Sequence, residues 1–411
     1  MKIGAFSQQS QVSKDTIRYY VSEGLLFPEC SGRQMQFSER DLDDLNRIQQ
    51  LKSMRFSIQE IKAVLQIYRM SNVIEPSTIE EYDALLQKKE SQLREEQIHL
   101  KESLAYLAGE RARLSRLRKI DQAEHSGVPL SAVSLLHCPH CHKQLQIEQA
   151  EIRQNYIHRG KLSCTCGYQA DIRDGIVCTG NVYTGAYDQP DLKRELYHDT
   201  GNEWDICMQK CTDLMMKQIR PLELEGRVIF EANINGFFFT YHFLRELPKN
   251  ALFIFVDKYE EILRMYKRYI EILGDGLEVL YLADAGENYP LKNQCVDLQL
   301  GFMGENEYTF YHKQHQIFDI KRLLKPGSRT IQVYSSCEID SQTRQRQMLQ
   351  YPEGGERRGN ISYLVEDYKA CGCSVDLIRV GEVLHTKKHH SYQAHVDGEA
   401  LTLYVYHAQM N

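Results

Sequence analysis

An apolar residue recurs at every seventh position through Ile79, Leu86, Leu93, Leu100, Leu107 and Leu114, and no proline falls between 77 and 121. Charged residues such as Lys88, Glu90, Arg94, Glu96, Lys101 and Glu110 fill the positions between. A heptad stripe with charged flanks predicts one long coiled-coil helix, started by Pro76 with Ser77 or Thr78. At 1.5 Å per residue it spans roughly 65 Å. A seam of that length cannot stay wet, so it predicts a partner helix. A second copy of the chain is the expected partner. An intramolecular hairpin is the alternative, but no matching helix lies nearby in sequence.

The rest of the chain is organised around this rod. Its 411 residues predict two or three domains. No apolar run approaches the ~18 residues of a membrane helix, and the longest, 237–244, contains Thr240, Tyr241 and His242. Met1–Gln9 is polar, so no signal peptide and a cytoplasmic location are expected. There the 12 cysteines are expected to be thiols or metal ligands. The formal net charge of −6 gives no general affinity for nucleic acid, so such a site must be local. Residues 1–74 carry 10 Lys+Arg and 8 Asp+Glu and are the slightly positive part.

Beyond the rod, His137-Cys138-Pro139-His140-Cys141-His142 is followed by Cys164-Thr165-Cys166-Gly167. Two thiols at x2 spacing reach one ion from a tight turn, and a second close pair completes a tetrahedron. Cys138, Cys141, Cys164 and Cys166 are the expected ligands of a structural zinc ion. His137, His140 or His142 remains an alternative for one of them.

From about residue 191 strand and helix alternate. Strands are expected at 228–232, 252–256, 277–283, 296–301, 330–334, 375–380 and 401–407, and helices at 260–273, 317–324 and 361–370. That alternation predicts a parallel sheet covered by helices on both faces, with the last two strands as an antiparallel pair. The segment 179–190 reads as a linker. The basic run Lys387-Lys388-His389-His390 reads as a solvated turn, with a DNA-facing role as the alternative.

Val12-Ser13-Lys14-Asp15-Thr16-Ile17-Arg18-Tyr19-Tyr20, then Glu23-Gly24-Leu25-Leu26, Pro28, Ser38-Glu39-Arg40-Asp41-Leu42 and Phe56-Ser57-Ile58-Gln59-Glu60-Ile61, resemble the DNA-binding end of the MerR family of transcription regulators. On the residues themselves, Ser13 is a good N-cap for a helix carrying Lys14, Thr16, Arg18 and Tyr20, whose donors suit a groove and phosphates. The resemblance implies DNA contacts from Arg18, Tyr19 and Tyr20 and from a wing holding Arg33, Gln34 and Gln36. It also implies an antiparallel coiled-coil dimer, double-stranded promoter DNA and RNA polymerase as partners, and promoter bending and untwisting. Met35 stands where the family often has its wing arginine, and Arg33 lies two residues earlier.

The C-terminal pattern resembles class I S-adenosylmethionine-dependent methyltransferases, and the cysteine segment resembles the zinc ribbon preceding some rRNA methyltransferases. Asp257 ends the second strand and is the expected ribose partner; Asp284 follows the third and is expected near adenine. Glu231, Asn233, Asn235 and Gly236 form the first loop, where the family has glycines, and Phe237 replaces one of them. Tyr197, His198, Trp204 and Tyr241 are candidate pocket residues. No catalytic base is evident.

The expected fold class is multidomain α and α/β. A winged helix-turn-helix (1–75) leads to a dimerisation helix (76–122), a zinc ribbon (130–182) and a Rossmann-like methyltransferase fold (190–411). The expected function is a dimeric DNA-binding regulator whose methyltransferase-like domain senses a small-molecule effector, such as S-adenosylmethionine, a related nucleoside or an aromatic drug-like compound. The degenerate first loop argues against turnover. The alternative is an active methyltransferase carrying a DNA-binding module.

Overall fold

The computed structural model describes residues 1–31, 34–70, 76–118, 126–185, 189–195, 200–273, 276–386 and 394–411. Arg33, Tyr197, His198 and the basic run at 387–390 lie outside the described residues. Two compact units divide the chain, Met1–Arg118 and Lys119–Asn411.

The first unit is helical with one small hairpin. Helices α1 (Ile3–Ser10) and α2 (Lys14–Ser22) precede strands β1 (Glu29–Ser31) and β2 (Gln34–Gln36), then α3 (Glu39–Ser53), α4 (Ile58–Met70) and α5 (Pro76–Arg118). Ser38 and Asp41 form a reciprocal capping box at the start of α3. Phe6, Ile17, Tyr20, Leu45, Ile48 and Leu65 lie in one buried core, and Phe6 stacks on Phe37 at 4.3 Å. Helix α5 runs 43 residues. Tyr82 and Leu85 on its first turns pack on that core. Lys89 is buried and reaches Glu60 at 2.9 Å and the carbonyl of Arg55 at 3.2 Å. Beyond this anchor, Leu93, Leu100, Leu107 and Leu114 are each at least 36% exposed, so the ladder is present without a cover inside its own unit.

The second unit is built on one 12-stranded sheet. Its first strands are β3 (Val128–Pro129), β4 (Gln146–Arg153), β5 (Tyr156–Ser163), β6 (Gln169–Arg173) and β7 (Ile176–Cys178). After α6 (Asn202–Ile219) come β8 (Val228–Ala232), α7 (Phe239–Phe243), β9 (Leu252–Asp257), α8 (Glu260–Leu273) and β10 (Glu278–Ala283). The chain continues through β11 (Val296–Phe302), α9 (Gly304–Tyr311), α10 (Ile317–Ile320) and β12 (Leu324–Ser336). It ends with α11 (Gln342–Gln350), α12 (Ile361–Ala370), β13 (Cys373–Val383) and β14 (Leu401–Met410).

The strand order is β13-β14-β12-β11-β8-β9-β10-β7-β6-β5-β3, with β4 paired to β5. The run from β12 to β7 is parallel, and β14 lies antiparallel between β12 and β13. Along β9, Phe253 and Phe255 enter one core while Ile254 and Val256 enter the other. That alternation into two buried faces is why the strand reads as an unbroken apolar run. Helices α6 and α8 cover one face; α10 and α12 cover the other. Strand β7 pairs in parallel with β10, Ile176 opposite Tyr281, so the cysteine-bearing hairpins continue the large sheet.

Several expectations need correction. Residues 304–311 form a helix that the sequence reading missed, α10 covers only the start of the helix expected at 317–324, and β12 begins at Leu324, six residues ahead of the strand expected at 330–334.

Candidate functional site

Three features carry the functional chemistry. The first is the exposed face of α2. The Ser13 hydroxyl accepts from the backbone N–H of Thr16 at 3.1 Å, which fixes the start of the helix. Ser13, Lys14, Arg18 and Tyr19 are exposed and Thr16 is half-buried. Arg18 pairs with Asp15 at 3.0 Å, both in solvent. Tyr20 is only 4% exposed against 46% for Tyr19. Three residues after Ile17 on a helix, Tyr20 shares its inward face and belongs to the core rather than to a contact surface. Gln34 and Gln36 lie on the β1–β2 hairpin, where Glu29 pairs with Gln36.

The second is a thiol cluster. The sulfurs of Cys138, Cys141, Cys164 and Cys166 all lie within 4.8 Å of one another. Cys138 Sγ is 3.3 Å from Cys166 Sγ, and Cys141 Sγ is 3.3 Å from Cys164 Sγ. Zinc–sulfur bonds of ~2.3 Å in a tetrahedron need sulfurs about 3.8 Å apart, so the set fits one metal ion. Two tight turns bring the thiols together. The N–H of His142 donates to the carbonyl of Cys138, and that of Gly167, at φ +95°, to the carbonyl of Cys164. The short spacing of the second pair is thus accommodated by a glycine in the left-handed region. Burial pushes the Cys138 thiol up to about 12, while the backbone N–H of Cys166 draws Cys164 down to about 6. The histidines do other work: His137 Nδ1 meets the carbonyl of His142 at 2.8 Å, and the His140 ring packs edge-on to Tyr168.

The third lies where the strand order reverses, between β8 and β11. Crevices form there in open α/β sheets, beyond the carboxyl ends of the strands. The expected cofactor residues do meet at this place, but their polar groups serve the chain itself. Glu231 is buried and accepts from the N–H groups of Phe239 and Thr240 at 2.8 and 2.9 Å; burial raises it to about 7. Asn233 adopts φ 58° and donates from Nδ2 to the carbonyl of Gly304 at 3.2 Å. Asp257 is 1% exposed, accepts from the N–H groups of Asn235 and Tyr259 at 2.8 and 2.9 Å, and is also raised by burial to about 7. Asp284 accepts from Thr179 Oγ1, Asn181 Nδ2 and the N–H of Gly286.

The N–H of Gly236 donates to Glu307, whose other oxygen holds the Lys258 ammonium. The Phe237 ring lies 4.4 Å from that of Phe302 and 4.7 Å from that of His242. S-adenosylmethionine needs open backbone at this loop and a carboxylate facing its ribose. Here the amides of Asn235 and Gly236 and the carboxylate of Asp257 have partners within the chain.

The same loop and helix open onto a cavity of about 550 Å3, lined by Asn235, Gly236, Phe237 and Glu307 together with residues that include Trp204, Asp205, Phe302, Phe310 and Tyr351. Trp204 was expected in a pocket; Tyr241 instead packs among Phe238, Tyr266 and Tyr269. Sequence reasoning missed Lys258, Glu307 and Phe310. Lys258 follows the predicted strand-end aspartate directly, and the other two lie on the helix it did not see.

Residues 1–67 match the family described as MerR HTH family regulatory protein. A transcriptional regulator, the ZntR homolog of Haemophilus influenzae, is 36% identical over 73 residues, 17% of this chain and 54% of that protein. The regulator HmrR of Rhizobium leguminosarum is 33% identical over 69 residues, 16% of this chain and 54% of its own. The chain therefore spans about half the length of the curated relatives it matches. For the remainder, a solved S-adenosylmethionine-dependent methyltransferase from Methanosarcina mazei is 12% identical with a TM-score of 0.32, covering 46% of this chain and 94% of that one. Residues 1–67 are thus similar to the MerR helix-turn-helix family, and a thiol cluster suited to a metal and a mostly parallel, helix-covered sheet follow. No described helix is long and apolar enough to cross a membrane.

Proposed function

We propose that this chain is a DNA-binding transcription regulator that works as a dimer and uses its methyltransferase-like domain to sense a small molecule. The observation that carries the reading is the match of residues 1–67 to the MerR helix-turn-helix family, on a unit whose α2 helix presents Ser13, Lys14, Arg18 and Tyr19 outward. The side chains of these residues grip phosphates and groove edges, with Thr16, Gln34 and Gln36 beside them.

The exposed Leu93–Leu114 face of α5 buries against the same helix of a second copy, giving two heads for a two-fold promoter element. Zinc on Cys138, Cys141, Cys164 and Cys166 has a structural part, since four thiolates leave no open position. The ligand cavity stands at the switch point of the sheet, where small molecules bind in this class of fold. Internal partners on Glu231, Asp257 and Gly236 favour a sensor over a methyl-transferring enzyme. Effector binding shifts the balance between two arrangements of the dimer on promoter DNA, with RNA polymerase as the downstream partner.

The test is nuclease footprinting of the zinc-loaded, full-length protein on the promoter region of its own gene at low salt. A protected palindromic element is expected. A dimeric, zinc-loaded protein that protects no such element overturns the reading.

A further inference from the structure

We propose that residues 179–185 and 189–195 form a strap that competes, from within the chain, with a nucleoside ligand for the crevice at the ends of β10, β9 and β8. This deepens the sensor reading and rests on it only in taking that crevice to be a ligand site. Open α/β sheets place their binding crevice beyond the carboxyl ends of the strands. The strap crosses three of those ends in turn. At β10, Thr179 Oγ1 and Asn181 Nδ2 donate to the two oxygens of Asp284 at 2.6 and 3.2 Å, and the N–H of Ala285 donates to the carbonyl of Asn181 at 2.9 Å. At β9, the Tyr183 ring lies 4.5 Å from that of Tyr311 and edge-on to Tyr259, with the Lys258 ammonium 5.9 Å from its centre. At β8, the N–H of Asp191 donates to Asn235 Oδ1 at 2.9 Å, and the Arg194 guanidinium donates to the carbonyls of Asn235 and Gly236 at 2.7 and 2.9 Å.

The strap brings groups of the kind a ligand brings. A carboxylate can only accept, so the buried Asp284 needs donors. One is the N–H of Gly286 beside it, and the others are side chains of the strap. The amino and hydroxyl groups of a nucleoside donate in the same way, and its base offers a flat face to tyrosine rings as Tyr183 does. Neither piece of the strap is α-helix or strand, and Val182 and Lys193 on it are exposed. It is held by these side-chain and end contacts rather than by a ladder or helix of its own, which places it at the low-stability end of the fold. Space remains under it: a cavity of about 230 Å3 is lined by Tyr183, Thr184, Lys258, Ala285 and Tyr311. Ligand and strap take the same acceptors, so each excludes the other.

Adenosine serves as the probe, and ligand-observed NMR reads its dissociation constant on the zinc-loaded, full-length protein. Asn181→Ala combined with Arg194→Ala removes one grip at each end of the strap and leaves Asp257, Asp284 and Asn235 in place. Adenosine should bind this variant at least about tenfold more tightly than wild type, because apparent affinity rises with the fraction of molecules whose crevice is open. Circular dichroism confirms the fold of the variant. Wild type supplies a second readout that needs no substitution: adenosine should quicken amide hydrogen exchange across 179–185, followed by mass spectrometry. Affinity that is unchanged or lowered in the folded variant overturns the proposal. So does exchange that stays level or slows, the latter being the sign of a lid closing over its ligand, and so does an absence of binding to either protein up to the solubility of adenosine. Neither readout involves DNA. A protein that gains adenosine affinity but footprints no promoter would remove the regulator and leave the strap standing; promoter protection without the gain would do the reverse.

Discussion

The backbone N–H of Gly236 lies 3.0 Å from Oε2 of Glu307, so the loop after β8 is tied to the helix after β11 by a carboxylate of the chain itself. The other oxygen of Glu307 holds Lys258, which is only 4% exposed. A Cβ on Gly236 would fall 2.8 Å from that same Oε2, so loop and helix are in close contact.

The wild-type protein is therefore expected to bind S-adenosylmethionine more weakly than about 1 mM. Titration calorimetry reads this directly. Glu307→Ala should not restore tight binding, because Asp257 remains engaged by the N–H groups of Asn235 and Tyr259 and Phe237 still packs on Phe302. Micromolar binding by the wild type would contradict the assignment of these contacts.

Cys141→Ser should destabilise the C-terminal unit by on the order of 3–5 kcal/mol, the scale of a lost structural metal site. The thiols sit at the ends of hairpins whose last strand, β7, pairs with β10. Loosening the cluster therefore reaches the main sheet. Thermal unfolding with and without a zinc chelator measures the effect, and the chelator should lower the wild-type midpoint while barely moving the variant. DNA contacts made by the N-terminal unit should persist. An unchanged midpoint on zinc removal would mean that the cluster is not structural.

How much of this was legible depended on whether the signal was local. Val228–Ala232, Glu260–Leu273 and Ile361–Ala370 fall where the sequence puts them, because each carries its own apolar period. Helix α9 was invisible. Its buried positions are Gly304, Glu305, Tyr308 and Thr309, with no apolar stripe, and Glu305 can be buried only because Tyr368 Oη and the N–H of Gln316 reach it from distant segments. The pairing of β7 with β10 was equally hidden, since three apolar residues, 176–178, say nothing about their neighbour. At the cleft, sequence located Asp257 and Asp284 at the ends of their strands. Whether their oxygens face a ligand or a backbone N–H is decided by long-range contacts with Asn235, Thr179 and Asn181.

Replacing Leu100 and Leu107 together by Glu should yield a monomer with helix content nearly unchanged. Both side chains are more than half exposed within their own unit, so the head should fold without them. In a dimer each would bury apolar surface worth roughly 1.5–3 kcal/mol, and introduced charges would add desolvation. Sedimentation equilibrium should show the dimer dissociation constant rising at least a hundredfold, by about 2.7 kcal/mol or more. A wild type that is monomeric at every concentration would remove the dimer from the account.

Arg18→Ala should weaken promoter binding severalfold and similarly across sequences. The side chain stands in solvent, paired among the described residues with Asp15 alone, and can turn to a phosphate. The decisive readout is the salt dependence, whose log–log slope should fall by about 1 for the lost contact. Tyr20→Phe is the matching control. Tyr20 is buried with Ile17, so its hydroxyl should matter little to DNA and the salt slope should not move.

The buried carboxyl of Glu231 makes stability depend on pH in a direction that can be checked. Its pKa is raised from 4.5 to about 7, chiefly by burial, against the opposing pull of the Thr240 and Phe239 N–H groups. The folded state thus holds this proton more tightly than the unfolded chain. The corresponding stability is fully present below the unfolded value of 4.5 and is lost as pH rises through about 7. The shift is worth on the order of 3 kcal/mol. Glu231→Gln cannot ionise, so it lacks this dependence whatever its baseline stability. Asp257, also raised to about 7, titrates in both proteins and cancels in their difference. Urea unfolding of the C-terminal unit should therefore show wild type losing ground to Glu231→Gln by about that amount between pH 4.5 and roughly pH 8. A difference that stays flat with pH would place the Glu231 carboxylate, ionised, against the first turn of α7. The N-terminal charge of that helix would then outweigh burial.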